Sequence, residues 1–277
     1  MISESKDLVV AVFAYNRPSH LRRVLISLEN YKIPLAYVFL DGPKNRKDKI
    51  LQKEIIFISK FNPYIKLHLK KNKINKGLAN SIVSGVSFLS KKYKNIIILE
   101  DDCIPRKEFF IFVKKILKNE QYKKDPTPIC GYQFPELEKK NKKILPFYFN
   151  YFIPWGWCVN SNYWQKYLKF KKNKKISFSD KLINKISQLT KNKNKKIWSR
   201  KFIEFNLMMN KKIIFPNISL IKNIGFDGSG VNSSLTNKFN TFYSKAKIEN
   251  FNFNIKNDKL LKNKQMKILL KRVKYFF

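Results

Sequence analysis

Glu100, Asp101 and Asp102 are three consecutive carboxylates that close the apolar run Asn95-Ile96-Ile97-Ile98-Leu99 and stand just before Cys103-Ile104-Pro105. Adjacent anions repel one another. In a chain with 58 Lys+Arg against 19 Asp+Glu, such a cluster calls for a cation to neutralise it. Oxygen-only ligands favour Mg²⁺ or Mn²⁺ over zinc, and one or two carboxylates plus substrate phosphates usually hold such ions. One reading is therefore a metal–diphosphate site. The other is a solvated acidic turn in which Asp101 or Asp102 caps the next helix.

Two further stretches have residue types suited to the same chemistry. Tyr15-Asn16-Arg17-Pro18 follows the run Leu8–Ala14 and precedes Leu21, Val24, Leu25 and Leu28, which recur at helical spacing. A strand thus delivers a polar loop to a helix N-terminus, with Pro18 in the first turn where its missing N–H is harmless. That arrangement suits an anion, and Arg17 suits a phosphate, although an ordinary βα turn with a surface arginine has the same pattern. The run Ala36–Leu40 ends in Asp41-Gly42-Pro43, again a carboxylate at a strand end.

The elements that must position these groups alternate along the chain. After the strands at 7–14 and 36–40, a third strand is expected at about 65–69. Asn75-Lys76-Gly77-Leu78 then opens a helix with Leu78, Ile82, Val86 and Leu89 on its apolar face, leading to the strand that ends at Glu100. Four alternations predict an α/β fold, a mostly parallel sheet flanked by helices, with ligands outside the carboxyl ends of the strands. All three stretches fall there. Further on, Phe109, Phe112, Val113, Ile116 and Leu117 mark an amphipathic helix, Ile129–Phe134 and Ile213–Phe215 read as strands, and a helix opens at Trp198. Aromatics crowd Tyr148–Val159 around Pro154-Trp155-Gly156-Trp157, either as core or as a wall for a sugar ring. Residues 169–197 are Lys/Asn-rich and read as an insertion. Asn223–Gly230 is a Gly-rich loop able to approach a ligand by its backbone.

The 277 residues, 44% hydrophobic, suffice for one large domain with a substantial core. No apolar run approaches a membrane span, and the first strand, preceded by Glu4 and Asp7, does not read as a signal peptide. Cys103, Cys130 and Cys158 have neither disulfide nor zinc spacing, which points to a reducing, cytoplasmic setting. The formal net charge of +39 invites a nucleic-acid reading. The lysines, however, are spread through the whole chain with abundant Asn and Ile, and no nucleic-acid motif accompanies them, so no specific nucleic-acid partner is expected. From Leu260, apolar residues recur among Lys262, Lys264, Lys267, Lys271, Arg272 and Lys274, giving a basic amphipathic tail. Docking on the domain and adsorption to the anionic inner face of the cell membrane are both open to it, and the second is favoured.

The ordered set Ala14-Tyr15-Asn16-Arg17, Leu40-Asp41-Gly42, Asn75-Lys76-Gly77-Leu78, Leu99-Glu100-Asp101-Asp102, Pro154-Trp155-Gly156-Trp157 and Pro216–Phe226 resembles glycosyltransferases of the GT-A (Rossmann-like) fold. It is most similar to bacterial family 2-like sugar transferases and more distantly to the N-acetylglucosaminyltransferase I type. The resemblance implies a single transferase domain over 1–240, with a nucleotide-sugar-binding half at 1–105, an acceptor-side half at 106–240 and a tail at 241–277. It implies a nucleotide-sugar donor, a glycan or lipid-linked acceptor, and Mn²⁺ or Mg²⁺ as cofactor. Tyr15, Asn16, Arg17, Asp41, Lys76 and Asp101 would bind the nucleotide, Asp102 with Asp101 the metal, and Glu100 would face the transferred sugar. Where relatives have a Trp-Asp base, this chain has Trp198-Ser199, and Glu204 and Asp227 are the nearby carboxylates that could substitute. A transferase that binds without turnover is the alternative raised by Ser199. A nucleotidyltransferase would call for a Gly-rich loop after the first strand, which is missing here.

Overall fold

The computed structural model describes residues 6–137, 143–149, 151–172, 198–229, 235–241, 247–248 and 267–268. In chain order β1 (Leu8–Ala14), α1 (Pro18–Asn30), β2 (Leu35–Leu40), α2 (Arg46–Lys60), β3 (Lys66–Lys71), α3 (Leu78–Leu89) and β4 (Asn95–Glu100) form the first half. Next come β5 (Cys103–Pro105), α4 (Lys107–Lys118), α5 (Glu120–Lys124), β6 (Ile129–Cys130), β7 (Lys143–Ile144), β8 (Pro146–Phe149), β9 (Trp157–Asn160) and α6 (Ser161–Lys172). The described elements end with α7 (Trp198–Met208), β10 (Ile213–Pro216), β11 (Ile221–Asn223) and β12 (Lys247–Ile248).

Among the described residues, eight strands form one mixed sheet in the order β3-β2-β1-β4-β9-β6-β10-β8. The pairs β3-β2, β2-β1 and β1-β4 are all parallel. From β1 the chain steps outward to β2 and β3, then returns through α3 to place β4 on the other side of β1. The strand order therefore reverses between β1 and β4, which opens a crevice at their carboxyl ends. Val9–Ala14 and Asn95–Leu99 are buried throughout, as expected of central strands covered on both faces. The lysine-rich β3 takes one edge, where charge discourages further pairing.

Local chemistry sets the helix starts. Pro18 opens α1, and the Asn45 side chain accepts the Asp48 N–H at 2.9 Å to cap α2. Gly77, at φ 76°, turns the chain into α3 through a conformation that L side chains rarely adopt. Of the α3 residues expected on its apolar face, Ile82, Val86 and Leu89 are fully buried, whereas Leu78, in the open first turn, is exposed.

The second half is less regular than the sequence pattern implies. β9 runs antiparallel to both β4 and β6, with Ile98 opposite Trp157. The aromatic stretch 148–159 is divided between β8 and β9, which are not neighbours in the sheet. Trp157 is fully buried against Phe152, Trp164 and Phe202, and Trp155 packs edge-on against Tyr132, Phe226 and Phe239. Both are core. Residues 169–172 complete α6, with Phe170 against Phe205, and the remainder of the Lys/Asn-rich stretch lies outside the described residues. So does most of the basic tail; of it, β12 pairs with β7 and Ile268 packs on the core. Among the described residues no helix is long and apolar enough to cross a membrane.

Candidate active site

Phe13 of β1 lies opposite Glu100 of β4, and the Asp101 N–H donates to the Phe13 carbonyl at 2.9 Å. Just beyond this register the two chains diverge, so Tyr15–Arg17 and Asp101–Asp102 face each other across the crevice. Arg17 fills the gap. Its Nη2 donates to Asp102 Oδ2 at 2.8 Å and, more closely, to Asp101 Oδ1. The Tyr15 N–H points at Asp101 Oδ2 from 3.4 Å, and the Cys103 thiol lies 3.4 Å from Asp102 Oδ1.

Burial sets the electrostatics of this cluster. Burial opposes the charge on Arg17, yet Asp101 and Asp102 outweigh it and hold the guanidinium firmly protonated. Burial also raises the Asp101 carboxyl, to about 6 despite Arg17. The Cys103 thiol is pushed well up by its own burial and by the neighbouring carboxylates, so it is inert rather than nucleophilic.

A second group, not singled out in the sequence, fixes the polar loop after β1. Tyr15 Oη donates to Asp48 Oδ2 at 2.5 Å, Asn16 Nδ2 to Asp48 Oδ1 at 2.8 Å, and the Lys44 N–H to Asp48 Oδ2 at 3.0 Å. Gln52 Nε2 bridges the carbonyls of Tyr15 and Asp41 at 3.0 and 2.9 Å. Tyr15 and Asn16 are thus fastened to α2. The spacing Asn45-x-x-Asp48 is a helix-start signal, so the sequence marks the cap but not what the Asp48 oxygens hold.

Burial alone would raise Asp48, but the bonds from Tyr15, Asn16 and Lys44 outweigh it and hold its carboxyl below the ordinary value. A depressed folded-state pKa contributes stability that is present above the unfolded value of about 4 and lost as pH falls through the folded one. Acid titration should therefore unlatch Tyr15 below pH ~4. Asp48→Asn should flatten that part of the stability–pH curve, read by urea denaturation at a series of pH values.

Asp41 is buried, and its carboxylate accepts four N–H groups. Oδ1 takes those of Gly42 (2.9 Å), Lys76 (3.0 Å) and the Asn72 amide (3.1 Å), and Oδ2 takes that of Gly77 (2.8 Å). It clamps the loop that opens α3, and among the described residues one acceptor site on Oδ2 remains. Lys76 contributes its backbone there, while its side chain is exposed.

The Gly-rich loop reaches the acidic cluster because β5 pairs antiparallel with β11, Cys103 opposite Asn223. The Ile224 N–H donates to the Asp102 carbonyl at 2.9 Å. Gly225 sits so close that a Cβ there would lie 2.1 Å from Asp102 Oδ2, and the loop backbone thus walls the carboxylate. Asp227 follows, half exposed; Ser229 occupies its Oδ1, and Oδ2 lies 3.1 Å from Nε2 of the buried His20 on α1. Burial would raise Asp227, but the Ser229 bonds and His20 hold it low, so it is a carboxylate at neutral pH. His20, like Asp48, was not marked by the sequence pattern.

Glu204 behaves differently. It is buried on α7, paired among the described residues with Arg200 (3.1 Å) and Lys201 (3.0 Å) of its own helix, and not with the cluster at the strand ends. Ser199 is buried as well. Of the residues expected in the site, Tyr15, Asn16, Arg17, Asp101 and Asp102 are in mutual contact or share a partner, with Glu100 next in the chain, Asp41 linked to Tyr15 through Gln52 and holding the Lys76 backbone, and Asp227 paired with His20 of α1.

No family model and no curated protein matches this chain. Among solved structures, a mannosyltransferase from Pyrobaculum calidifontis in complex with GDP-Man and Mn²⁺ has a TM-score of 0.41 at 13% identity, over 59% of this chain and 46% of that one. This chain thus spans under half of that protein. A 4-diphosphocytidyl-2C-methyl-D-erythritol synthase from Anaerococcus prevotii scores 0.38 at 12% identity over 74% and 97%, and A197 from STIV 0.40 at 10% over 88% and 98%. These overlaps are too distant to carry an activity across.

Proposed function

We propose that this chain is a glycosyltransferase that moves a sugar from a nucleotide-diphosphate donor, a UDP-sugar, to a glycan or lipid-linked acceptor in cell-surface polysaccharide assembly, with inversion. The observation that supports it is the cluster of Arg17, Asp101 and Asp102 at the point where the strand order reverses between β1 and β4.

Among the described residues no group of three His, Cys, Asp or Glu side chains is arranged to hold a metal. A divalent ion completed by diphosphate oxygens needs only one or two carboxylates. Asp101 and Asp102 fit that donor set: both carry oxygens only, and they already converge on a cationic group, the Arg17 guanidinium. Asp102, with Asp101, would hold Mn²⁺ or Mg²⁺, which supplies charge stabilisation for the leaving diphosphate.

The chain's own groups do the rest. Arg17 turns onto the phosphates and stabilises negative charge as the sugar–phosphate bond breaks. Tyr15, Asn16, Asp41 and Lys76 line the nucleotide side, and Glu100 faces the sugar. Asp227, ionised and half exposed on the loop whose Gly225 meets Asp102, is more accessible as a base for the acceptor hydroxyl than Glu204, which is buried and paired. Gly225 and the loop backbone exclude water beside Asp102.

Calorimetric titration of UDP with and without Mn²⁺ tests this reading. The parent chain should bind UDP only with Mn²⁺, and Asp102→Ala should weaken binding at least about tenfold, the loss of one charge-assisted contact. Absence of binding by the folded parent chain would sink the reading for UDP donors. Binding with no donor hydrolysis would favour the non-catalytic alternative.

A further inference from the structure

Helix α2 has two faces of opposite character. Asp48, Gln52, Ile55, Ile58 and Ser59 point inward and are buried. On the outer side Ile50, Phe57 and Phe61 lie on one stripe, at spacings of seven and four residues, and are 59, 61 and 68% exposed; Tyr64 just beyond the helix is 76% exposed. The Phe57 and Phe61 rings rest on each other, 5.0 Å apart, instead of on the core. Exposed Arg46, Lys49, Lys53 and Lys60 flank the stripe without an ion-pair partner among the described residues. The one exposed acid on the helix, Glu54, is matched by Arg22 of α1 at 3.3 Å.

Leaving such side chains in water is unfavourable, and exposed apolar side chains gathered on one helix face mark a surface that something covers. We infer that the outer face of α2 docks on an anionic lipid bilayer. Charge complementarity selects that occupant. A helix with aromatic and aliphatic residues along its outer stripe and basic residues beside it has the residue pattern of an interfacial helix, and the chain carries +39 overall. A second copy of the same face would bring two basic rims together. Single-stranded nucleic acid is bound in basic grooves with spaced aromatic platforms, whereas this face is a convex helix whose two rings pack on one another. Because α2 is part of the folded sheet layer, docking needs no folding of a free segment. It would also bring the loop held by Asp48 and Gln52, and with it the site, next to the bilayer. The inference stands on this surface and does not depend on the transferase reading.

Flotation of the full chain with phosphatidylcholine vesicles, with and without phosphatidylglycerol, tests it. The parent should partition onto the phosphatidylglycerol vesicles. Phe57→Ser/Phe61→Ser, which keeps every charge, should reduce that partitioning at least about tenfold. Both rings are exposed, so the double variant should melt at the parent temperature, which circular dichroism checks. Phe61→Cys provides a second readout. The native cysteines are buried, so an environment-sensitive fluorophore should go to position 61. Its emission should shift to the blue on phosphatidylglycerol vesicles and stay unchanged with single-stranded oligonucleotide. Unchanged partitioning of the double variant would overturn the inference. So would an unshifted label on bound vesicles, the result expected if the basic tail alone binds lipid. A parent dimer that the double variant dissolves, or a label shifted by oligonucleotide, would overturn it as well.

Discussion

Arg17→Ala is expected to lower the unfolding free energy by about 3–5 kcal/mol and, on the proposed function, to abolish nucleotide binding. The guanidinium is largely buried between two carboxylates, its side chain 17% exposed and those of Asp101 and Asp102 4 and 13% exposed. Removing it leaves two adjacent anions facing each other with no counter-charge, and the cost is mostly the stranded charge rather than the lost contact. Asp101, already raised to about 6 by burial, would rise further and take up a proton near neutral pH. Urea denaturation of the variant, and of Arg17→Ala combined with Asp101→Asn, measures this. The double variant should recover part of the stability because one stranded charge is gone. A loss below about 1 kcal/mol in the single variant would mean that water, not the guanidinium, balances the carboxylates.

Gly42→Ala is the second large effect. A Cβ at this position would lie 2.1 Å from the Ile74 carbonyl carbon, 2.3 Å from its oxygen and 2.5 Å from the Asn75 nitrogen. These are backbone atoms, so no side-chain rotation relieves the clash, and the whole segment before α3 must move outward. Doing so withdraws the Lys76 and Gly77 N–H groups from Asp41 and leaves a buried carboxylate short of donors. Overpacking costs about 1–3 kcal/mol, and the under-bonded anion adds a similar amount. Gly77→Ala is the comparison. Gly77 has φ 76° and ψ 156°, a region essentially kept for glycine, but a Cβ added there would meet nothing within 4 Å, so only backbone strain of about 1–3 kcal/mol applies. Thermal unfolding should rank Gly42→Ala well below Gly77→Ala, and amide exchange at Lys76 and Gly77 should rise in the first.

The first half of the fold was legible because its strands are continuous apolar runs separated by amphipathic helices, and because a parallel sheet places every strand end on one side. That alone brought Tyr15–Arg17, Asp41 and Glu100–Asp102 together. Hydrophobic pattern does not specify pairing partner or direction, however, so neither the antiparallel β9 beside β4 nor the short β5–β11 ladder could be read. The ladder is what brings Gly225 against Asp102, with Asp227 two residues further along the loop. The expected counter-charge was also only half legible: three carboxylates demanded a cation, and Arg17 supplies one across 84 residues of sequence separation. Asn45-x-x-Asp48 marks a helix start, but an acid in a charged helix gives no sign of holding Tyr15 and Asn16 until those partners are placed. The crowded aromatics at 148–159 gave composition but not location, and packing alone assigns Trp155 and Trp157 to the core.

The long separations within the site bear on how it is born. Arg17, Asp101 and Asp102 all lie in the first 102 residues, whereas Gly225 and Asp227 lie more than a hundred residues later. At about 5–20 residues per second, a ribosome delivers the loop on the order of ten seconds after the carboxylates. For that interval the emerged chain can supply Arg17 and the two carboxylates but not the glycine wall beside Asp102. The arginine–carboxylate contact is the part of the site that needs nothing synthesised later to balance its charge, whereas the wall beside Asp102 must wait for residue 225.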